Sequence, residues 1–226
     1  MEHTVKIKSI EHVTHDVLRI VTEKPSSFSF KPGQAADISI NKINWQTEKR
    51  PFTFTSLPSY DYLEFTIKTY PSRKGVTNEL LQLKKHDELI VADVFGDIAY
   101  KGKGVFIAGG AGVTPFISIF RDLQAKNEIG DNKLLFANKT KADIILEQEF
   151  KSVLGKNFIN ILSDEKVPGY VHGFITEELL KPHLTTDASG IGRNVYVCGP
   201  PPMMEAIEKQ LANLKVDKDL IIKEAF

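Results

Sequence analysis

Cysteine is almost absent. Cys198 is the only one in 226 residues, which excludes an internal disulfide framework and any cysteine-ligated iron–sulfur cluster on these residues. An excess of charge is missing too: 29 basic and 29 acidic side chains cancel, so no net field favours nucleic acid or an anionic membrane surface. No apolar run approaches the roughly 18 residues that a membrane-spanning helix needs. The opening stretch MEHTVKIKSIEHVTHD is charged and alternating, unlike a secretory leader. Repeats and low-complexity tracts are lacking. His12 and His15 stand three apart, which on a strand sends them to opposite faces, so no metal site is expected. What remains is 42% hydrophobic and 26% charged, the composition of a globular chain long enough for one large or two small domains. A cytoplasmic location is expected.

The two halves follow different rhythms. Up to about residue 97 the pattern has period two. In YLEFTIKTY, Leu63, Phe65 and Ile67 share one face while Glu64, Thr66 and Lys68 share the other, which predicts a half-buried strand. Further strands are expected at 5–10, 17–22, 35–40, 52–55 and 88–94, punctuated by turns such as KPGQ and SLPSYD. Short strands at this spacing predict a small antiparallel β-barrel. One helical interruption, VTNELLQLKK, offers Thr77 as its N-cap. From residue 104, short apolar runs at 105–108, 134–137, 158–162, 195–197 and 220–222 alternate with helical stretches such as PFISIFRDLQAK, ADIILEQEFKSVL and PMMEAIEKQLANL. That alternation predicts an α/β domain, a parallel sheet with helices on both faces. The boundary is expected in YKGKG, giving domains 1–102 and 103–226.

The first apolar run of the second half leads into GVFIAGGAGVTPFISIF. Thr114 falls where an N-cap belongs and Pro115 where the first helical residue belongs. The GGAG between lets the backbone turn sharply. A helix N-terminus beyond the carboxyl end of a parallel strand is a place where nucleotide phosphates bind. A glycine turn made for packing alone stays open, and Pro115 stands where the G-x-G-x-x-G fingerprint has its third glycine.

Other stretches add weight. RPFTFTS places Arg50, an aromatic and a hydroxyl on one strand: Arg50 and Phe52 share a face and Thr53 points across. A guanidinium clamps a diphosphate, a phenyl ring lies on a flat ring, and a hydroxyl bonds a ring nitrogen. KGVTNELL offers glycine before a helix start, a second possible phosphate cradle. VYVCGPPPMMEAI ends a strand in Cys-Gly and three prolines, which fix the chain's direction.

In this order and spacing RPFTFTS, IKTYPSRKGVTNELL, AGGAGVTPF, VYVCGPPPMM and KEAF resemble the ferredoxin–NADP reductase superfamily, in particular its flavodoxin- or ferredoxin-reductase members, over nearly the whole chain. The resemblance implies an amino-terminal flavin-binding barrel and a carboxyl-terminal nicotinamide-nucleotide domain. It implies FAD rather than FMN, held at the diphosphate by Arg50 with Gly75, Val76 and Thr77, and at the ring by Phe52 and Thr53, with Pro51 also among the cofactor-binding residues. Thr66 and Lys68 join that set. Gly110, Gly112, Thr114 and Pro115 would form the dinucleotide loop, with Ser163 after the third strand. Cys198 and Gly199 would flank the nicotinamide, and Phe226 would cover the flavin ring. Thr53, Cys198 and Glu224 are the implied catalytic groups. Asp164 and Glu165 directly follow Ser163 and oppose a 2′-phosphate, with Lys166 in partial compensation, which favours NADH and leaves NADPH open.

The implied activity is an NAD(P)H-dependent flavoprotein reductase that hands electrons to a separate ferredoxin, flavodoxin or other redox protein. Three alternatives stand beside it: a reductase of diffusing flavin, the reductase component of an oxygenase, and a non-catalytic nucleotide-binding subunit.

Overall fold

The computed structural model describes residues 2–184 and 192–224. The chain divides into two compact units, Met1–Ala99 with Thr114–Asp122, and Tyr100–Val113 with Leu123–Phe226.

The first unit is built from β1 (His3–Thr14), β2 (Val17–Glu23), β3 (Ala35–Ile40), β4 (Arg50–Thr53), β5 (Tyr62–Lys68) and β6 (Glu88–Phe95). Their order in the antiparallel sheet is β4-β3-β6-β1-β2-β5. The sheet closes on itself just past β4, where Phe54 bridges Phe65 and the Thr55 N–H donates to the Glu64 carbonyl at 2.8 Å. This contact covers the chain just past β4, while β4 itself keeps one side unpaired. Alternate residues, among them Leu18, Ile20, Ile38, Leu63, Phe65 and Ile67, fill the interior. Phe30 and Phe54 stack there with centroids 4.2 Å apart.

Two expectations for this unit are corrected. The alternation along β5 holds, but its second face is not solvated: Glu64 is 1% exposed and Thr66 is also buried. The reason is that Arg19 and Arg121 close over that face and bond the Glu64 carboxylate. VTNELLQLKK forms only a single α turn, α1 (Val76–Glu79), followed by a 3-10 turn at Leu80–Gln82. Its N-cap is Gly75, not Thr77, because the Asn78 and Glu79 amides already bond to the Gly75 carbonyl.

The second unit contains β7 (Gly104–Gly109), β8 (Lys133–Asn138), β9 (Phe158–Leu162), β10 (Val171–His172), β11 (Asn194–Cys198) and β12 (Ile221–Lys223). All pairings are parallel, in the order β10-β9-β8-β7-β11-β12. Every residue of β7 is buried, as expected for a central parallel strand covered on both faces. The helices are α2 (Thr114–Ala125), α3 (Glu147–Leu154), α4 (Glu177–Leu184) and α5 (Pro201–Asn213), of which Thr114–Asp122 of α2 groups with the barrel unit. The helix expected over 142–154 begins only at Glu147. Leu146 takes a left-handed conformation (φ 52°), and the buried Ile144 and Ile145 precede it outside the helix. Thr114 is the first residue of α2, not its N-cap, because a 3-10 turn, Gly110–Val113, already leads in from β7. Just before β7, Tyr100 stacks with Tyr196 at 6.1 Å, and the Tyr196 hydroxyl donates to the Gly102 carbonyl at 2.7 Å, pinning the start of the unit.

Candidate functional site

In the barrel unit the site residues start from β4, which pairs only with β3 along its length (Thr53 with Ala35, Phe52 with Ala36) and so runs along the sheet's rim. Pro51 suits a rim strand because it has no N–H to offer a second neighbour. Arg50 is exposed. Its guanidinium donates to the Lys49 carbonyl at 2.6 Å and to Glu48 at 3.4 Å. Phe52 packs against the barrel core while still half-exposed. Thr53 is half-buried, and the Thr114 hydroxyl stands 3.4 Å from its own. Gly75 has extended backbone, and a Cβ built there would meet nothing within 4 Å. Val76 beside it is buried and Thr77 half-buried.

Two residues of the expected flavin set have other partners. Thr66 is buried, and its hydroxyl lies 3.2 Å from that of Thr55. Lys68 is ion-paired with Asp16 at 2.6 Å. Burial alone would raise the Asp16 carboxyl, but the Lys68 hydrogen bond and charge hold it below its ordinary value.

In the parallel-sheet unit the order of strands reverses between β7 and β11, where Cys198 pairs with Ala108. Open parallel sheets bind ligands outside the carboxyl ends of strands at such a switch point. The glycines there divide into two kinds. A Cβ on Gly112 would run into the Cys198 carbonyl and lie 2.6 Å from the Gly199 nitrogen. A Cβ on Gly109 would press on Met203 and lie 3.0 Å from Pro200 Cδ. These two are glycine because the turns after β7 and β11 touch. Gly110 differs: its φ is +50° and a Cβ would meet nothing within 4 Å, so bare backbone faces open space. Gly109 and Met203 were missed in the sequence reading, although GG at a strand end opposite PPPMM was a signal. Pro200 is the N-cap of α5 and prolines take its first positions, which brings Met203 onto Gly109 and Gly199.

Cys198 is buried. Burial, and next the charge of Glu224, push its thiol up to about 12, so it stays protonated near neutral pH. Glu224 directly follows β12, whose Lys223 pairs with Val197 of β11, so the two expected catalytic groups lie within electrostatic reach of each other. Phe226 lies outside the described residues. Ser163 donates its N–H to the Asn138 carbonyl at 3.0 Å and its hydroxyl to Asp164 at 2.6 Å. Nearby, the Lys141 N–H donates to Glu165 at 2.7 Å and the Thr140 N–H to Asp143 at 2.8 Å. Two carboxylates of the chain itself therefore occupy consecutive backbone amides beyond β8.

The FAD-binding domain family model matches residues 2–135, more than half of the chain. The chain belongs to the FAD-binding domain family. An oxidoreductase NAD-binding domain model matches residues 106–209 of this family member. The chain thus carries an FAD-binding domain followed by an NAD-binding domain. It is 30% identical to NADH-cytochrome b5 reductase 2 of Mycosarcoma maydis, across 89% of this chain and 62% of that protein. It is 31% identical to the reductase component of propane 2-monooxygenase from Mycolicibacterium smegmatis, across 98% of this chain and 66% of that one. The chain therefore spans about three fifths to two thirds of the length of these curated relatives. Among solved structures, the CS-b5R domains of human Ncb5or superpose with a TM-score of 0.86 at 25% identity, over all of this chain and 70% of that one. A ferredoxin NADP+ reductase from Neisseria gonorrhoeae, with bound FAD and NADP, superposes at 0.83 and 19% identity over 99% and 98% of the two chains. The two-domain fold expected from the ferredoxin–NADP reductase resemblance is the fold observed. Among the described residues, no helix is long and apolar enough to cross a membrane.

Proposed function

We propose that this chain is an NAD(P)H-dependent flavoprotein reductase. It binds FAD in the barrel unit, takes reducing equivalents from a nicotinamide dinucleotide in the parallel-sheet unit, and passes electrons to a redox carrier outside these 226 residues. A ferredoxin, a flavodoxin or an oxygenase component fits that role. The observation that carries the reading is the open, left-handed Gly110 backbone at the switch point of a parallel sheet, on a chain whose FAD-binding family match covers residues 2–135.

The residues present fit both groups. At Gly75 and Gly110 a Cβ would meet nothing, so the backbone there is open to close approach by a ligand. Arg50 is exposed and, among the described residues, bonds its chain neighbours Glu48 and Lys49, so it would reach a diphosphate by exchanging surface partners, with Gly75, Val76 and Thr77 alongside. Pro51, Phe52 and Thr53 would line the ring. Thr66 and Lys68 would take part only by leaving Thr55 and Asp16. Gly110, Gly112, Thr114, Pro115 and Ser163 would hold the dinucleotide, with Cys198 and Gly199 beside the nicotinamide. When bound, FAD accepts two electrons together and releases them singly. Cys198, kept neutral, offers a small uncharged wall, and the Glu224 carboxylate stabilises positive charge developing on the nicotinamide. Phe226 would cover the flavin ring between turnovers.

NADH is the proposed donor. Glu165 and Asp143 already fill the backbone amides beyond β8, and their charge opposes a 2′-phosphate. The single, buried thiol suits the reducing cytoplasm. The test is the absorption spectrum of the purified protein, identification of the released flavin, and anaerobic titration with each nucleotide. FAD is expected, bleached by NADH at least as efficiently as by NADPH. A protein that holds no flavin and is bleached by neither nucleotide overturns the reading.

A further inference from the structure

Glu64 is the one buried acidic side chain among the described residues, and it is held from two sides. Its Oε1 accepts from Arg121 Nη1 at 2.6 Å and from the Thr55 hydroxyl at 2.8 Å. Its Oε2 accepts from Arg19 Nε at 2.9 Å and Nη2 at 2.8 Å. Arg121 also donates to the Thr55 carbonyl at 2.8 Å, two residues beyond Thr53. A buried ion cluster of this kind is no more stabilising than well-packed apolar side chains. Its distinguishing property is geometric, since each oxygen accepts only along fixed directions.

The geometry it fixes is that of α2. Thr114, Ser118 and Arg121 are spaced i, i+4 and i+7, and at 3.6 residues per turn they form one polar seam along the helix. Each meets the barrel. Arg121 bonds Glu64, the Ser118 hydroxyl accepts from the Gly33 N–H at 3.0 Å, and Thr114 stands 3.4 Å from Thr53. Anchoring Arg121 two turns along sets both the rotation of the helix and its axial position, and so sets where Thr114 and Pro115 present themselves to Thr53. We infer that Glu64 is a positioning residue for reduction of the bound flavin: with Arg19 and Arg121 it locks the polar seam of α2 so that Thr114 is held against Thr53. Glu64 itself touches neither cofactor nor substrate. The inference rests on the reductase reading.

Three variants test it. Glu64→Gln keeps the shape and removes the charge. Arg121→Lys keeps the charge and shortens the reach. Ser118→Ala removes one hydrogen bond and no charge. Two quantities are read on each: amide hydrogen exchange of 114–122 in FAD-free protein, and the single-turnover rate of flavin bleaching at saturating NADH, divided by bound FAD. For Glu64→Gln and Arg121→Lys, exchange in 114–122 is expected to rise at least tenfold. The bleaching rate per bound FAD is expected to fall at least tenfold, with the NADH concentration for half-saturation changed less than twofold. Ser118→Ala is expected to lower the rate about threefold, and it decides the matter if the charge variants do not accumulate as folded protein. A merely structural cluster would lower the melting temperature or the fraction of loaded protein and leave the rate per bound FAD as in the parent. That result overturns the inference. A parent protein bleached by neither nucleotide removes the reductase reading, and this inference with it. A bleached parent with equally bleached variants removes this inference alone.

Discussion

The two units remove different polar groups from water. In the barrel unit they include the Glu64 carboxylate with the hydroxyls of Thr55, Ser56 and Thr66 in one hydrogen-bonded cluster, Ser118 in a second, and, outside both, Thr22, Thr69 and Ser39, whose Oγ has no hydrogen-bond partner among the described residues. In the parallel-sheet unit they are three asparagines. Asn132 is satisfied by Gly104, Ile129 and Tyr100, whereas both amide atoms of Asn138 and the Asn160 Oδ1 have no hydrogen-bond partner among the described residues. The barrel thus specifies its packing against α2 with directional bonds. The parallel sheet specifies its switch point with close contacts, the Cys198 and Gly199 backbone against Gly112 and the Met203 and Pro200 side chains against Gly109. Polar lock and steric lock fail differently under substitution.

The largest expected effect breaks the polar lock. Arg121→Met leaves the Glu64 carboxylate with Arg19 and the Thr55 hydroxyl, and since a buried pair broken outright costs about 3–5 kcal/mol, a loss of up to about 3 kcal/mol is expected. Urea denaturation measures it. Replacing Arg19, Glu64 and Arg121 together by Met, Leu and Met should recover most of that loss, since no charge then remains buried. Acid sharpens the same point. Burial by itself raises the Glu64 carboxyl, but Arg121 first, then Arg19 and Thr55, hold it below its ordinary value. The stability this contributes is complete above an unfolded carboxyl pKa of about 4.3 and is lost as pH falls below it. The parent should show this acid limb in urea midpoints against pH, and the apolar triple variant should lack that part of it.

Next comes the steric lock. Gly112→Ala puts a methyl into the Cys198 carbonyl and the Gly199 nitrogen, which are backbone atoms that cannot swing aside. About 3 kcal/mol of destabilisation is expected, at the upper end for overpacking. Thermal melts followed by tryptophan fluorescence and by far-ultraviolet dichroism should separate a weakened parallel sheet from an intact barrel. That separation is expected because the only tryptophan, Trp45, packs against the barrel core. Gly110→Ala sharpens the contrast: it meets open space, so only its left-handed backbone opposes it, about 1 kcal/mol. An equal loss from the two would erase the distinction between packing glycine and open glycine.

Arg50→Ala tests the rim of the barrel without touching its core. Charged hydrogen bonds are worth roughly 1.5–3 kcal/mol, so FAD affinity should fall by one to two orders of magnitude while the urea midpoint of the FAD-free protein stays put. Unchanged flavin content after dilution and gel filtration takes Arg50 out of the site. The smallest effect is expected at Glu165→Gln, which removes one carboxylate from the Lys141 amide. The kcat/KM ratio of NADPH to NADH should rise by about threefold to tenfold, on the order of 1 kcal/mol for one partly exposed charge. No change, or a fall, shows that Glu165 does not guard the 2′-position.

The local pattern of residues was legible without coordinates wherever it depends on periodicity or on a fixed backbone preference. Period two marked which residues of β5 share a face, and Leu63, Phe65 and Ile67 do lie in the barrel core. Strand–helix alternation marked the parallel sheet, and paired glycines with an N-terminal proline marked the turn after β7. Periodicity cannot say what covers a face. The half-buried strand read from that alternation leaves the face of Glu64 open, whereas here the face is closed by Arg19 and Arg121. The polar seam on α2 was visible as Thr114, Ser118 and Arg121 within an apolar run, but its partners sit 57 and 85 residues away in the chain, at Glu64 and Gly33. Composition likewise names a glycine without giving its reason. Only contact between the turns after β7 and β11 separates Gly112, which has no room for a Cβ, and Gly109, where a Cβ would press on Met203, from Gly110, which has room and a left-handed backbone. The sequence by itself determined the two kinds of sheet and the places where the chain turns, because those follow from neighbours a few residues apart. The tertiary structure alone decided which polar groups are buried, which glycines pack, and which face open space, because burial and steric exclusion depend on segments far apart along the chain.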